Sequence, residues 1–148
     1  MKHLQYSTTI NATPQEVWTT MLDPVTYKEW TGASWPDSYF EGQWKQGENI
    51  RFISPDGSGT LATITELLPY EHISARHIAV LQIGGEEDKT SEQAKGWIGT
   101  LENYTFIPRD GATELRVDIE TNPDWEKMFN DGWPGALTAL KKIAEKEK

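Results

Sequence analysis

The chain has 148 residues, the size of one domain of about 100–200 residues, and is long enough to bury a core. It carries 14 basic and 23 acidic residues, a net charge of −9, so it repels phosphate backbones and nucleic-acid binding is not expected. It contains no cysteine, which excludes disulfides and thiolate nucleophiles, and its three histidines lack metal-ligand spacing. We therefore expect one domain over residues 1–148, without a metal and without a cofactor.

The first residues, MKHLQYSTTINATPQEVW, are polar and lack the apolar core of a signal peptide. No run approaches the ~18 apolar residues of a membrane span. We expect a cytoplasmic protein that does not insert into membranes.

The first predicted elements are a strand and two short helices. Residues 4–10 alternate as a half-buried strand does. Thr13, Pro14 and Glu16 then supply a helix cap, a first-turn proline and a capping-box acid. Asp23 and Pro24 end this helix, and VTYKEW predicts a second one.

The central part of the chain predicts antiparallel strands. SYFEGQW indicates a short strand or an extended loop, and strands follow in ENIRFIS, TLATITELL, EHISARHIAVLQI, GWIGTLENYTFIP and TELRVDIET. The polar stretch of residues 84–96 predicts a mobile loop between two of them. The predicted strands carry one apolar face, which needs a covering layer.

The C-terminal residues predict the helix that supplies this cover. One face is apolar throughout and comprises Trp125, Phe129, Trp133, Leu137 and Leu140. Pro134 costs a helix interior about 3 kcal/mol, but burial of these large side chains offsets that cost. We expect one helix from Pro123 or Asp124 to about Lys146, bent or locally unwound around residues 130–134. Two explanations stay open: the bend follows a curved sheet, or it gates a cavity.

The predicted fold class is therefore α+β. A curved antiparallel sheet of about six to seven strands wraps around a long C-terminal helix, and two short helices follow the first strand.

This order of elements resembles the START-like, or SRPBCC, superfamily of helix-grip proteins. Within it, the chain looks most like the family named for the activator of heat-shock protein 90 ATPase. The segments that carry the resemblance are INATPQEVWTTMLDPVTYKEW, PDGSGTLATITELLPYEHI, LENYTFIPRDGATELRV and GWPGALTALKKIAEK. The resemblance implies a cavity between sheet and helix that binds hydrophobic molecules. Superfamily members include lipid carriers, hormone receptors and polyketide cyclases, and fold alone does not choose among them.

The walls of such a cavity are expected to be inward strand residues and the apolar face of the helix. The candidates are Trp30, Trp35, Phe40, Phe52, Ile64, Trp97, Tyr104, Phe106, Phe129, Trp133 and Leu137. The alternative is that these side chains pack against one another as a solid core, because protein interiors are close-packed.

Three polar residues are weak candidates for catalysis. By alternation, Glu66 and Glu102 fall on apolar strand faces, and His77 lies in the strand ISARHIAV. A buried carboxylate with a raised pKa would serve as a general acid or base. The alternative is that both acids lie at the rim or pair with Arg76 or Arg116, and that His77 is an ordinary strand histidine.

Three functions remain open at this point. The first is binding or stress-related carriage of a small apolar or amphipathic molecule, and the second is a cofactor-independent cyclase or hydratase that uses the cavity carboxylates. The third, an interaction with the heat-shock protein 90 chaperone, follows from the family name. The segment EWTGASW predicts an exposed tryptophan patch, either a dimer interface or a cavity mouth, so monomer and homodimer both stay open.

Overall fold

A computed structural model describes residues 2–146. The predicted domain of residues 1–148 therefore includes three positions (1, 147 and 148) that lie outside the described residues. The elements, in chain order, are β1 (Lys2–Ile10), α1 (Pro14–Leu22), α2 (Pro24–Gly32), β2 (Tyr39–Gly42), β3 (Asn49–Ile53), β4 (Gly59–Leu68), β5 (His72–Leu81), β6 (Glu87–Asp88), α3 (Glu92–Lys95), β7 (Leu101–Arg109), β8 (Ala112–Thr121), a 3₁₀ turn (Pro123–Trp125) and α4 (Glu126–Lys146).

The strands form one antiparallel sheet in the order β1-β8-β7-β5-β4-β3-β2, and β6 pairs with β5 outside that order. The register places Leu4 opposite Ile119 and Tyr104 opposite Val117, so apolar side chains of neighbouring strands share one face. The predicted α+β helix-grip fold is confirmed, and the two-residue β6 is the strand that the sequence pattern did not reveal.

Helix α4 covers the apolar face of the sheet. Trp133, Leu137, Leu140 and Ala144 of α4 are buried in the same core cluster as Ile64 and Val117 of the sheet. The helix is continuous from Glu126 to Lys146, so the local unwinding predicted around residues 130–134 does not occur. Because Pro134 lies on the exposed side, the helix keeps its apolar face intact across the proline.

The two short helices begin as the sequence predicted. The Thr13 side chain accepts a hydrogen bond from the backbone N–H of Glu16, and the Glu16 carboxylate accepts one from the N–H of Thr13. Asp23 ends α1 and caps α2 by accepting from the N–H of Val25 at 2.9 Å. These caps fix α2 against α4, where it presents Tyr27 and Trp30 to the core.

The stretch of residues 84–96 differs from its prediction. It contains β6 and the single-turn helix α3, and the strand predicted from Gly96 onwards begins only at Leu101. Asp88 organises this segment, since its carboxylate accepts hydrogen bonds from the N–H groups of Thr90 and Ser91, the Ser91 hydroxyl and the Gln82 amide. Trp97 consequently lies after α3 and not in a strand.

Among residues 2–146, no helix combines the length and the apolar composition that crossing a membrane requires.

Candidate ligand-binding site

A cavity of about 420 Å³ lies between the sheet and α4, at the end of the groove where α4 begins. Strand residues Phe52, His77 and Tyr104 line it on the sheet side, and Trp30 and Trp133 line it on the helix side. The opposite end of the groove, around Leu137 and Leu140, belongs to the close-packed core. The described residues therefore leave an open space at the end of the apolar groove where α4 begins.

Seven of the eleven predicted wall residues line this cavity: Trp30, Trp35, Phe52, Trp97, Tyr104, Phe129 and Trp133. The expected exposed tryptophan patch is wrong, because Trp30 is buried and Trp35 is half-buried, and both contribute to the cavity wall. Trp133 is central among these rings, with centroids 5.9 Å from Trp30 and 5.6 Å from Trp35.

The other four predicted wall residues do not line the cavity. Ile64, Phe106 and Leu137 are buried in the core cluster at the packed end of the groove. Phe40 stands behind the wall, with its ring edge-on to Tyr27 at 4.9 Å. Periodicity places a residue on the inner face of an element, but it carries no information about the position of a void along that face.

Glu66 does not share the inner face with Ile64 as alternation predicted. The register of β4 against β5 shifts between Ile64 and Glu66, and this irregularity turns Glu66 to the surface. Its carboxylate lies 3.6 Å from Nε2 of His72. Glu66 is therefore on the outside of the sheet and away from the cavity.

Glu102, His77 and Tyr104 form a buried polar cluster in the cavity wall. Glu102 Oε2 accepts a hydrogen bond from the Tyr104 hydroxyl, and Oε1 lies 3.4 Å from His77 Nε2 without the alignment of a hydrogen bond. His77 is 1% exposed and Glu102 is 9% exposed. The alternatives of a rim position or an arginine partner therefore do not describe Glu102.

Several buried ring nitrogens in the cavity wall have no hydrogen-bond partner among the described residues. They are both nitrogens of His77 and the indole N–H groups of Trp44, Trp97 and Trp133. Native proteins satisfy most buried polar groups, and an unsatisfied one costs about 1–3 kcal/mol. The cavity wall therefore contains several polar ring atoms whose hydrogen-bonding capacity is not used by the described residues.

Tyr27 and Trp44 are wall residues that the sequence reasoning missed. Tyr27 precedes Trp30 by three residues, the spacing that places two side chains on one face of a helix, so this signal was available. Burial, and secondarily the negative charge of Glu102, raise the pKa of Tyr27, so its hydroxyl keeps its proton. Trp44 lies in an irregular segment with no periodicity that would have predicted its direction.

The cavity opens beside the segment that Asp88 organises. Gln82 and Ile83, which precede this segment, and Gln93 within it line the cavity, as does Met128 of α4. Ile83 is 76% exposed and Met128 is 47% exposed, which is unusual for large apolar side chains. The mouth therefore presents apolar side chains to solvent.

Within the described part of the chain, no group of three or more histidine or acidic side chains is arranged to hold a metal ion.

Comparison with known proteins places this fold in a family. The family described as "Activator of Hsp90 ATPase homolog 1-like protein" matches residues 11–145, almost the whole chain. The chain belongs to this family. The resemblance of its sequence segments to the activator homologues is thereby confirmed, whereas comparison with curated protein sequences gives no match.

Solved structures with the fold of this activator-homologue family include the Aha1 dimer from Colwellia psychrerythraea, with 19% identity, a TM-score of 0.74 and coverage of 98% of this chain and 97% of that chain. Protein MLL2253 from Mesorhizobium loti has 14% identity, a TM-score of 0.75 and 99% coverage of both chains. DynU16, from a dynemicin biosynthetic locus, has 18% identity and a TM-score of 0.71, and the match covers 100% of this chain and 49% of DynU16. At these identities the similarities establish a shared fold.

Proposed function

We propose that this protein binds or carries a small apolar or amphipathic molecule in the cavity between the sheet and α4. The observation that carries the proposal is the cavity itself, about 420 Å³ in volume and lined by ten aromatic side chains from the sheet, from α2 and α4 and from the segments beside them. Known small-molecule pockets occupy about 300–1,000 Å³ and combine mostly apolar walls with a few polar groups. The Glu102 cluster supplies those polar groups.

The first test is native mass spectrometry of the purified protein, followed by organic extraction of whatever remains bound. We expect a stoichiometric adduct of low mass that is released by the solvent. The second test titrates the apo protein with N-phenyl-1-naphthylamine, a neutral fluorescent probe of apolar cavities, and we expect saturable binding.

A pair of matched variants assigns that binding to the cavity. Thr60 lines the cavity from β4, and Thr63 lies on the same strand outside it, where its hydroxyl donates to Asn49. Thr60→Phe should lower probe affinity about tenfold or more because the ring occupies the space, whereas Thr63→Phe should not. Absence of both an adduct and probe binding by the unsubstituted protein would overturn the proposal.

A second candidate function is acid–base catalysis in the same cavity by a cyclase or hydratase type of enzyme. The observation that favours it is the juxtaposition of Glu102, His77 and Tyr104, since a buried carboxylate beside an imidazole suits proton transfer. Incubation of the extracted molecule with protein in D₂O tests it. Deuterium uptake that Glu102→Gln abolishes would support catalysis, and an unchanged mass with the unsubstituted protein would argue against it.

Three further expectations belong with this proposal. The family description raises an interaction with heat-shock protein 90, which a measurement of that chaperone's ATPase rate with and without this protein would test. The similarity to the Aha1 dimer supports a homodimer as one arrangement, and analytical ultracentrifugation distinguishes it from a monomer. A chain without cysteine needs no oxidising compartment, which supports the cytoplasm as its location.

A further inference from the structure

We propose that the cavity selects an apolar molecule carrying one positively charged amine, which pairs with Glu102. The inference rests on the proposed function, because it names the chemical class of the ligand for that same cavity. Fatty acids and other carboxylates, which an apolar cavity alone would also accept, should bind more weakly than such an amine.

The charges around the cavity are the first argument. Among the described residues that line it, Glu102 is the one acidic side chain, and no lysine or arginine is present. His77 is the one imidazole, and the remaining titratable groups are the hydroxyls of Tyr27 and Tyr104. A bound anion would face the Glu102 carboxylate without a lysine or arginine to compensate it, in surroundings where charges are weakly screened. The net charge of the whole chain, −9, also favours the approach of cations.

The hydrogen bonding of Glu102 is the second argument. A carboxylate accepts about four hydrogen bonds, yet Oε2 receives one from Tyr104 and Oε1 has no aligned donor among the described residues. Because Glu102 lines the cavity, a donor group of a ligand can reach this oxygen. An ammonium group supplies up to three N–H donors and a compensating charge, and it forms stronger hydrogen bonds with a carboxylate than a neutral donor does.

The aromatic walls are the third argument. The indoles of Trp30, Trp35, Trp97 and Trp133 line the cavity together with Glu102. The face of an aromatic ring carries partial negative charge and attracts cations, and tryptophan does so most strongly. Because the same rings are apolar, they also accommodate the hydrocarbon part of the ligand. The Glu102 carboxylate and the tryptophan rings therefore both favour a positively charged ligand.

The test compares three naphthalene derivatives that share one ring system and differ in charge. They are 1-naphthylmethylamine, a cation at pH 7, the neutral 1-naphthalenemethanol and the anionic 1-naphthoic acid. Isothermal titration of the unsubstituted protein should give the order amine, alcohol, acid, with the amine about tenfold or more tighter than the alcohol. This order is measurable without any variant.

A matched pair of variants then identifies the group responsible. Glu102→Gln keeps the side-chain shape and an acceptor oxygen but removes the charge, so it should reduce the preference for the amine to about threefold or less. Glu66→Gln makes the same change at the surface and should leave the order intact.

The outcomes separate this inference from the proposed function. Binding of none of the three compounds, together with no binding of the neutral probe, would overturn the proposed function and this inference with it. Equal affinities, or tightest binding of the acid, would overturn the cation preference and leave the binding cavity standing. A preference for the amine that Glu102→Gln preserves would overturn the role of Glu102.

Discussion

The two ends of the groove beneath α4 use different kinds of side chain. The packed end is mainly aliphatic, and Ile64, Leu115, Val117 and Leu140 there are fully buried against one another. The open end is mainly aromatic and surrounds the 420 Å³ cavity with tryptophan and tyrosine rings. One helix and one sheet thus support both a solid core and a void.

The difference has a physical cause. Branched aliphatic side chains interdigitate at the density of an organic crystal, so they leave little space between helix and sheet. Large flat rings hold one another apart at contact distances, as Trp133 does with Tyr104 at 6.2 Å between centroids. The packed end therefore contributes most to the stability of the fold. The open end is less closely packed, and several of its buried polar groups have no hydrogen-bond partner among the described residues. Three predictions test this contrast, from the largest expected effect to the smallest.

Truncation of a leucine should cost more at the packed end than at the open end. Leu140 is fully buried in the packed core, whereas Leu81 lines the cavity and belongs to a smaller cluster with Ile53, Leu61 and Ala79. Leu140→Ala should lower the free energy of unfolding by about 4 kcal/mol and Leu81→Ala by about 2 kcal/mol. Denaturation in urea measures both, and equal losses would contradict the view that the open end is less tightly packed.

Two glycines of α4 should respond oppositely to alanine. A Cβ at Gly132 would lie 2.4 Å from Cζ2 of Trp35, so this ring must move, whereas at Gly135 the nearest side-chain atom is the Ser34 hydroxyl oxygen at 3.0 Å. Gly132→Ala should therefore destabilise the fold by about 1 kcal/mol after the gain in helix propensity, and it should alter probe affinity.

Gly135→Ala serves as the control, because it makes the same change in the same helix and requires a shift of the Ser34 hydroxyl, which donates to the Gly132 carbonyl oxygen at 2.5 Å, but no shift of a ring. It should leave stability unchanged or raise it, by up to about 1 kcal/mol. If both variants behaved alike in thermal unfolding and in probe titration, Trp35 would not depend on Gly132 for its position in the wall.

The local stability of residues 84–96, the segment beside the cavity opening, should depend on the negative charge of Asp88. Hydrogen bonds from the Ser91 side chain and from the N–H groups of Ser91 and Thr90 lower the pKa of Asp88 from 3.8 to about 2. Since folding lowers this pKa, the folded state binds the proton more weakly than the unfolded chain. The contribution to stability is present above about pH 4 and is lost as the pH falls towards 2.

Asp88→Ala should therefore speed amide hydrogen exchange at Thr90 and Ser91 by about tenfold at neutral pH, because these N–H groups lose their acceptor. Exchange in the packed strands should not change. Lys89→Ala, at the neighbouring position, is the control and should leave the exchange of Thr90 and Ser91 as it is; an equal effect of both variants would contradict the role of Asp88.

Much of the fold was predictable because it depends on short-range chemistry. The cap formed by Thr13 and Glu16, the alternation of β1 and the apolar face of α4 are properties of neighbouring residues, and each appears in the structure as the sequence indicated. The structure around Asp88 also depends on neighbouring residues, since Thr90 and Ser91 follow Asp88 by two and three positions and Ser91 caps α3. The many polar residues of this stretch nevertheless resembled an unstructured loop.

By itself, then, the sequence determined the elements other than β6 and α3, their apolar faces and the family, since period and capping act over a few residues. Only the tertiary structure decided where packing stops and the cavity begins, because a void depends on the sizes of side chains from several elements at once. It also turned Glu66 outwards through a shift in register, and it brought His77 of β5 to within 3.4 Å of Glu102 on β7. Neither outcome follows from the residues next to them in the chain, because each is set by the pairing of one strand with another.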